Sequence, residues 1–207
     1  MAHAHAQAHP DRVVLQAEAT FTNNNSAGLL RFLQGIQADH NRITFRGSGG
    51  TEIDANPDGL GLTGIAMPLI KDGTVTLTLS GGVHDLSGAV PDPQRYTSDI
   101  EYFSAAFLNG GTTRITDGAE VISSLLFIGS NASDSAGGVV DGPNSQLRMG
   151  YIALLRVSDS RIDAIAVDGG DLTVGNYGTG SLTIQNGGSI RNVNTSSIGA
   201  RSVAAGR

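Results

Sequence analysis

One segment of the sequence has side chains suited to binding calcium. Asp54, Asn56 and Asp58 are spaced as in the first half of a calcium-binding loop. Gly59 follows at the position where such a loop turns sharply. The twelfth position of the loop requires a bidentate glutamate, and the sequence has Ile65 there. A tight turn stabilised by the asparagine side chain is therefore the favoured interpretation, and calcium binding is a weak candidate.

Acidic residues in the C-terminal part could supply a second kind of chemistry. Glycoside hydrolysis requires two carboxyl groups roughly 5–10 Å apart, and aspartates on neighbouring strands could form such a pair. Aspartate beside glycine or serine is also the usual composition of turns, and no histidine lies near these aspartates in the sequence. A chain without catalytic or cofactor-binding residues is therefore favoured. The aspartates in question are Asp141, Asp159, Asp163, Asp168 and Asp171.

Histidine, whose neutral imidazole is a common metal ligand, occurs five times. Three of the five lie within residues 1–12, which are predicted to form a flexible tail. The other two, His40 and His84, have no obvious partner in the sequence and are predicted to lie at the surface. No resident metal or cofactor is therefore expected.

The composition favours an all-β chain. Glycine accounts for 29 of the 207 residues, aromatic residues make up 5%, and cysteine and tryptophan do not occur. Glycine usually accounts for about 7% of residues, so its share here is roughly doubled. Short strands joined by tight corners require glycine, because many corners need a positive φ angle.

Charge and hydropathy exclude two classes of partner. The formal net charge is −6 and the pI is about 5.2, so no nucleic-acid-binding surface is expected. No stretch approaches the ~18 apolar residues of a membrane helix, so no membrane-spanning segment is expected.

Residues 1–12 lack the basic start and the apolar core of a secretory signal. Either a signal has been removed or the chain is cytoplasmic. We favour the first and expect the protein to be extracellular or to lie at the outer-membrane surface.

The middle of the chain consists of short strand-like segments separated by turns. Residues 43–45 and 75–79 alternate apolar residues with threonine, as half-buried strands do. Residues 83–111 lack this alternation and are predicted to leave the regular structure as an irregular excursion. Apart from that excursion, residues 13–207 are predicted to form a single domain.

A short helix is predicted near the N-terminus. Ser26 is a suitable N-cap for a helix over residues 27–37, on which Leu29, Leu33 and Ile36 would share one face. Such a helix would cover the first layer of a stacked β-structure, whose core and strand edge would otherwise be exposed.

Four short apolar runs in the C-terminal part of the chain end in glycine. These glycines are Gly129, Gly150, Gly175 and Gly199, which are 21, 25 and 24 residues apart. A period in the low twenties is typical of a β-solenoid, in which each coil buries its apolar face against its neighbours. An ordinary β-sandwich with glycine-rich hairpins is the alternative. In a solenoid the inward residues would be Leu126, Ile128, Leu147, Met149, Leu172, Val174, Leu182, Ile184, Ile190 and Ile198.

Residues 172–190 read LTVGNYGTGSLTIQNGGSI. This segment resembles the glycine-rich repeat of autotransporter passenger domains, LxVGNxGxGxLTIxNGGxV, which some exopolysaccharide-associated surface proteins share. The match is close over residues 172–190, weaker over 115–171 and negligible before residue 110. The resemblance implies a right-handed parallel β-helix displayed at the outer membrane, usually in adhesion or biofilm roles. Its residues are structural, so it says little about activity.

The sequence therefore predicts an all-β, right-handed parallel β-helix with a short N-terminal capping helix. The expected function is that of a bacterial surface-displayed or secreted scaffold for adhesion or biofilm, without catalysis. A host surface or an extracellular polysaccharide is the expected ligand. The alternative is a carbohydrate-active β-helix enzyme or a phage-type spike domain. An enzyme would have a groove where carboxylates converge with perturbed pKa values, whereas a scaffold would have aspartates spread singly over its corners.

Overall fold

The computed structural model describes most of the chain as short β-strands. The described residues are 6–9, 12–39, 41–56, 58–64, 68–87, 105–158, 161–191 and 193–199, with the backbone alone for 6–9, 151–158 and 161–168. They form 22 strands and no helix. In chain order the strands are β1 Ala6–His9, β2 Arg12–Leu15, β3 Ala19–Asn23, β4 Leu29–Phe32, β5 Ile36–Gln37, β6 Ile43–Gly47, β7 Gly50–Asp54, β8 Leu62–Thr63, β9 Leu69–Lys71, β10 Thr76–Ser80, β11 Val83–Asp85, β12 Ala105–Leu108, β13 Gly110–Thr116, β14 Glu120–Ser123, β15 Leu125–Ile128, β16 Ser135–Asp141, β17 Gln146–Ser158, β18 Arg161–Asp168, β19 Gly170–Val174, β20 Thr179–Gln185, β21 Ser189–Arg191 and β22 Val193–Ile198.

The chain visits three faces in a repeating order, with one strand on each face per coil. One face is a seven-stranded sheet in the order β22-β19-β15-β12-β9-β6-β3, and the next is a six-stranded sheet in the order β20-β16-β13-β10-β7-β4. Two smaller sheets follow each other on the third face and are joined by a parallel bridge between Leu60 and Val83. Nearly all neighbouring strands are parallel and stacked in chain order. This arrangement confirms the all-β prediction and is compatible with a β-solenoid.

Each inward position of one coil lies directly over the same position of the next coil. In the seven-stranded sheet, register joins Phe45 to Lys71, Lys71 to Leu108, Leu108 to Ile128 and Ile128 to Val174. All five side chains are buried. Because inward and outward residues alternate along each strand and the strands are in register, the inward side chains form a continuous core that runs through the stack. The same core includes the predicted inward residues Leu126, Leu147, Met149 and Leu172, and Leu182 and Ile190 pack against it.

Two predicted inward residues are exposed although they occupy inward columns. Ile184 is in register with the buried Val140, and Ile198 is in register with Val174. Their exposed fractions are 50% and 83%. Ile184 lies on β20 and Ile198 lies on β22, and each of these strands is the last described strand at the end of its sheet. They thus occupy inward columns as predicted, but they are exposed because no described coil covers them.

The predicted helix over residues 27–37 is wrong. This region contains β4, paired in parallel with β7, and β5, paired in parallel with β2 and β8. Leu29 and Leu33 are exposed, by 54% and 57%, whereas Ile36 is buried. Gly35 has a φ angle of +73°, which forms a corner rather than a helical turn. Pairing with neighbouring strands therefore outweighs a weak helical preference. Within the described residues, no helix is long and apolar enough to cross a membrane.

The four glycine-terminated runs do not occupy equivalent places. Gly129, Gly175 and Gly199 each follow the last residue of a strand in the seven-stranded sheet. Gly150 lies inside β17, on the third face. The regular spacing across Gly150 was therefore misinterpreted. Gly129 and Gly175 belong to successive coils but are 46 residues apart, because β17 and β18 form an antiparallel hairpin inserted between them.

The predicted tail and excursion fall partly outside the described residues. Within residues 1–12, β1 pairs antiparallel with β2, while residues 1–5 and 10–11 are not described. Within residues 83–111, β11, β12 and the start of β13 are strands of the stack, and residues 88–104 lie outside the described part. His40 and Ile65 also lie outside it.

His84 was predicted to lie at the surface, but it is fully buried. Its Nδ1 accepts a hydrogen bond from the Leu62 amide at 3.1 Å, so the ring proton lies on Nε2, which faces the Gly81 carbonyl at 3.1 Å. Gly61 leaves the space that the ring fills, since a Cβ there would lie 2.3 Å from the His84 ring. Burial lowers the pKa of His84 to about 4, so the ring is neutral near pH 7.

Lys71 is also fully buried, in the inward column between Phe45 and Leu108. Its ammonium group donates a hydrogen bond to the Gly110 carbonyl in the next coil. Burial lowers the pKa of Lys71 to about 8, and the negative charge of Asp72 opposes part of this shift. The core of the stacked sheets therefore contains, among the described residues, a basic group whose pKa lies close to neutral pH.

A pair of adjacent substitutions tests the register of the seven-stranded sheet. Val174→Asp would bury an unpaired charge between coils, so we expect a loss of several kcal/mol of unfolding free energy. Thr173→Asp changes the neighbouring residue on the outer face and should cost less than about 1 kcal/mol. Urea denaturation of both variants measures the difference. Equal losses would contradict the observed inward and outward alternation.

The buried amine predicts that the protein becomes more stable as pH rises from about 8 to 10.5. In this window the unfolded chain still holds the lysine proton and the folded chain does not, so unfolding takes up a proton and becomes less favourable. Lys71→Met should remove this dependence and stabilise the protein at pH 7 by at most roughly 3 kcal/mol. Leu108→Met, in the same column, is the uncharged control. Denaturation midpoints at pH 7 and pH 10 that change equally in wild type and Lys71→Met would contradict the prediction.

Candidate functional site

A pair of stacked aromatic rings marks the outer face of the seven-stranded sheet. Phe107 lies between the inward residues Ala106 and Leu108 on β12, and Phe127 occupies the equivalent place on β15. Because parallel coils repeat at about 4.8 Å, equivalent outward side chains lie directly over each other. The two ring centroids are 5.2 Å apart and the ring planes differ by 8°. Ile70 precedes Phe107 in the same outward column.

A groove of about 350 Å³ runs beside this column. We call it the aromatic groove. Its apolar wall consists of Ile70, Phe107 and Phe127. Its polar wall and its end are formed by residues of the corners that follow the strands: Asn109, Ser130, Asn131, Asn176 and Tyr177. None of these eight lining residues carries a charge at neutral pH.

Two carboxylates orient the amides of the polar wall. Asn109 Nδ2 donates to Asp72 Oδ1 at 3.0 Å, and Ser130 Oγ donates to Asn109 Oδ1 at 2.7 Å. Asn131 donates to Asp134 Oδ2 twice, from its side-chain amide at 3.0 Å and from its backbone amide at 2.7 Å. Asn109, Ser130 and Asn131 therefore belong to a hydrogen-bonded network that crosses three successive coils, and their side chains are held in place before any ligand arrives.

The corners around the groove are fixed by backbone contacts between coils. The Asn176 amide donates to the Gly129 carbonyl at 3.1 Å, and the Thr179 amide donates to the Asp134 carbonyl at 2.9 Å. Gly178 is required by the close approach of the corners, since a Cβ there would lie 2.3 Å from the Asn131 carbonyl oxygen. The corner that carries Asn131 and the one that carries Tyr177 are thus packed backbone to backbone. Tyr177 itself is 44% exposed at the open end of the groove.

A second groove, of about 550 Å³, lies where β13 and β16 end and contains Asp117 and Asp141. Asp141 accepts hydrogen bonds from Arg114 at 2.8 Å, from Gln185 at 2.9 Å and from Asn186 at 2.8 Å. The two amides and the guanidinium group lower the pKa of Asp141. A general acid in glycoside hydrolysis needs a raised pKa instead. Asp141 therefore joins successive coils and is not arranged as a general acid.

Among the other aspartates considered for catalysis, Asp171 has a described side chain, and it lies in a different sheet from Asp141. Asp171 lies on β19 in the seven-stranded sheet, where it accepts a hydrogen bond from the Thr195 hydroxyl of the next coil. Asp163 and Asp168 belong to β18, one arm of the inserted hairpin, of which only the backbone is described. Asp159 lies outside the described residues.

The three residues of the calcium candidate have separate surroundings. Asp54 accepts a hydrogen bond from Arg31 at 3.1 Å, on the outer face of the six-stranded sheet. Asn56 Oδ1 accepts from the Leu60 amide at 2.8 Å, so this side chain closes a turn. Asp58 is exposed within that turn. Across the part of the chain whose side chains are described, no three acidic or histidine residues are grouped to hold a metal ion.

The sequence interpretation missed the aromatic groove, although part of it was accessible. Assigning Leu126 and Ile128 inward places Phe127 outward by alternation, and Phe107 precedes Phe127 by 20 residues, close to one coil. A repeated outward phenylalanine was therefore the available indication. The corner residues Asn131 and Asn176 gave no such indication, because an asparagine side chain at a corner usually forms hydrogen bonds within the turn.

The chain was compared with protein-family models, with curated proteins and with solved structures. No family model, curated protein or solved structure matches it. Its function is therefore inferred from its own geometry.

Proposed function

We propose that this protein is a non-catalytic adhesion or biofilm scaffold, displayed at a bacterial surface or secreted, that binds an extracellular or host-surface polysaccharide. The observation that carries the proposal is the aromatic groove, whose lining combines apolar side chains with amides and hydroxyls. Binding sites of this kind combine a large apolar contact with a few oriented polar groups.

The stacked coils suit such a role mechanically. The groove residues lie on strands and corners of successive coils, each held by a ladder of backbone hydrogen bonds. A binding surface on regular elements keeps its geometry better than one on long loops. The net charge of −6 favours solubility of the folded protein. It gives the protein no general attraction for anionic surfaces.

We further propose that the coils wind right-handed, as in the passenger-type β-helices that residues 172–190 resemble. Parallel strands joined by crossover connections are right-handed in about 98% of cases. The resemblance also fits the places of the repeat residues. Leu172 and Val174 point into the core, and Gly175 forms a corner with a φ angle of +70°.

A carbohydrate-active enzyme is less well supported than a binding scaffold. The groove that contains Asp117 and Asp141 holds two carboxylates, but hydrogen-bond donors occupy both of them. The pKa of Asp141 is lowered, which keeps this carboxyl ionised and unable to donate a proton near pH 7. Asp141 is thus not placed to act as the general acid.

Retention on insoluble polysaccharide tests the proposal. We expect the folded chain to be depleted from solution by neutral polysaccharide particles and to release no reducing ends or unsaturated sugars during prolonged incubation. Heat-unfolded protein is the control, because its groove is lost. Soluble sugar products would favour the enzyme, and a failure to bind any polysaccharide in a broad panel would contradict the adhesion role.

A further inference from the structure

We infer that the aromatic groove binds a short stretch of uncharged saccharide and discriminates against acidic polysaccharides. The inference rests on the proposed function and narrows it to one ligand class and one surface. It follows from the two walls of the groove and from the charges hydrogen-bonded to them.

The apolar wall matches the hydrophobic side of a sugar ring. A pyranose presents C–H groups on one side and hydroxyl groups around its rim, so it is itself amphipathic. Phe107 and Phe127 are half-buried and stacked, and Ile70 extends the same surface by one coil. Rigid aromatic side chains supply contact area at a low cost in conformational entropy.

The polar wall matches the rim of hydroxyl groups. Asn109 uses its Oδ1 and one N–H on Ser130 and Asp72, which leaves one N–H to donate. Asn131 uses its amide nitrogen on Asp134, which leaves Oδ1 to accept. One wall therefore offers a donor and an acceptor on neighbouring coils. A sugar hydroxyl can both donate and accept, so it satisfies either group.

The charges around the groove determine which saccharides fit. Asp72 and Asp134 each lie one hydrogen bond from the polar wall, and the lining contains no lysine or arginine. A uronate or sulfate in the groove would approach two negative charges, and no residue of the lining is a cation. The ammonium group of Lys71, which interacts with Asp72, is buried in the core rather than in the lining. Like charges close together in a partly desolvated site are unfavourable, and this gives specificity against acidic ligands.

Calorimetric titration of the full chain with two matched probes tests the inference. The probes are a neutral β-linked hexose hexasaccharide and an oligouronate of the same length. We expect the neutral probe to bind at least about tenfold more tightly than the uronate. Asp72→Asn keeps the hydrogen bond from Asn109 and removes one negative charge. This variant should therefore show a smaller difference in affinity between the neutral probe and the oligouronate.

Substitutions in the groove test the location. Phe127→Ala and Tyr177→Ala should each weaken binding of the neutral probe by about tenfold, as expected for aromatic anchors. Tyr177 is exposed, so its substitution should leave the denaturation midpoint unchanged. Leu29→Ala is the matched control, since Leu29 is also a large exposed hydrophobic residue and lies on β4, outside the lining of the groove. It should not affect binding.

Three outcomes would overturn the inference. In the first, the oligouronate binds more tightly than the neutral probe. In the second, Tyr177→Ala and Phe127→Ala bind the neutral probe as wild type does. In the third, sedimentation shows that Tyr177→Ala abolishes self-association, which would assign the groove to a second copy of the chain. If groove variants bind normally while wild type is still retained on polysaccharide, the inference fails and the adhesion role stands. If neither probe binds and no polysaccharide retains the protein, both fail.

Discussion

In-register parallel pairing is the constraint on which the rest of this structure depends. When strands of successive coils lie side by side, each residue has the equivalent residue of the next coil as its neighbour. An apolar residue at an inward position therefore continues a core, as Ile128 and Val174 do. An aromatic residue at an outward position meets another one, and the stacked pair of Phe107 and Phe127 results. One rule thus produces both the hydrophobic core and the candidate binding surface.

The sequence predicts the fold where a residue's environment follows from local alternation. The inward positions at Leu172 and Val174 were predicted because the strand pattern alone separates core from surface. Prediction from the sequence fails where the local structure depends on pairing with a neighbouring coil. Residues 27–37 have an apolar spacing that suits either a helix or short strands, and pairing of β4 with β7 determines the result. The inserted hairpin β17–β18 was missed because its glycine-flanked runs imitate the repeat.

The candidate site was predictable only in part, for the same reason. Alternation places Phe127 outward, but whether another ring lies over it depends on the register with β12. The polar wall depends on contacts between corners, such as the hydrogen bond from Asn109 to Asp72, 37 positions apart in the chain. The burial of Lys71 was equally hidden, because lysine is almost never fully buried without a partner. Its partner, the Gly110 carbonyl, belongs to the following coil.

The fit between His84 and Gly61 has a consequence for how this protein can evolve or be engineered. A repeat architecture suggests interchangeable modules, which could be duplicated, deleted or reordered. Here the coil with the histidine requires a glycine at one point of the preceding coil, because any side chain there would occupy the place of the imidazole. The ring in turn accepts a hydrogen bond from the Leu62 amide of that coil. A chimera that separates these two coils must therefore replace both residues together.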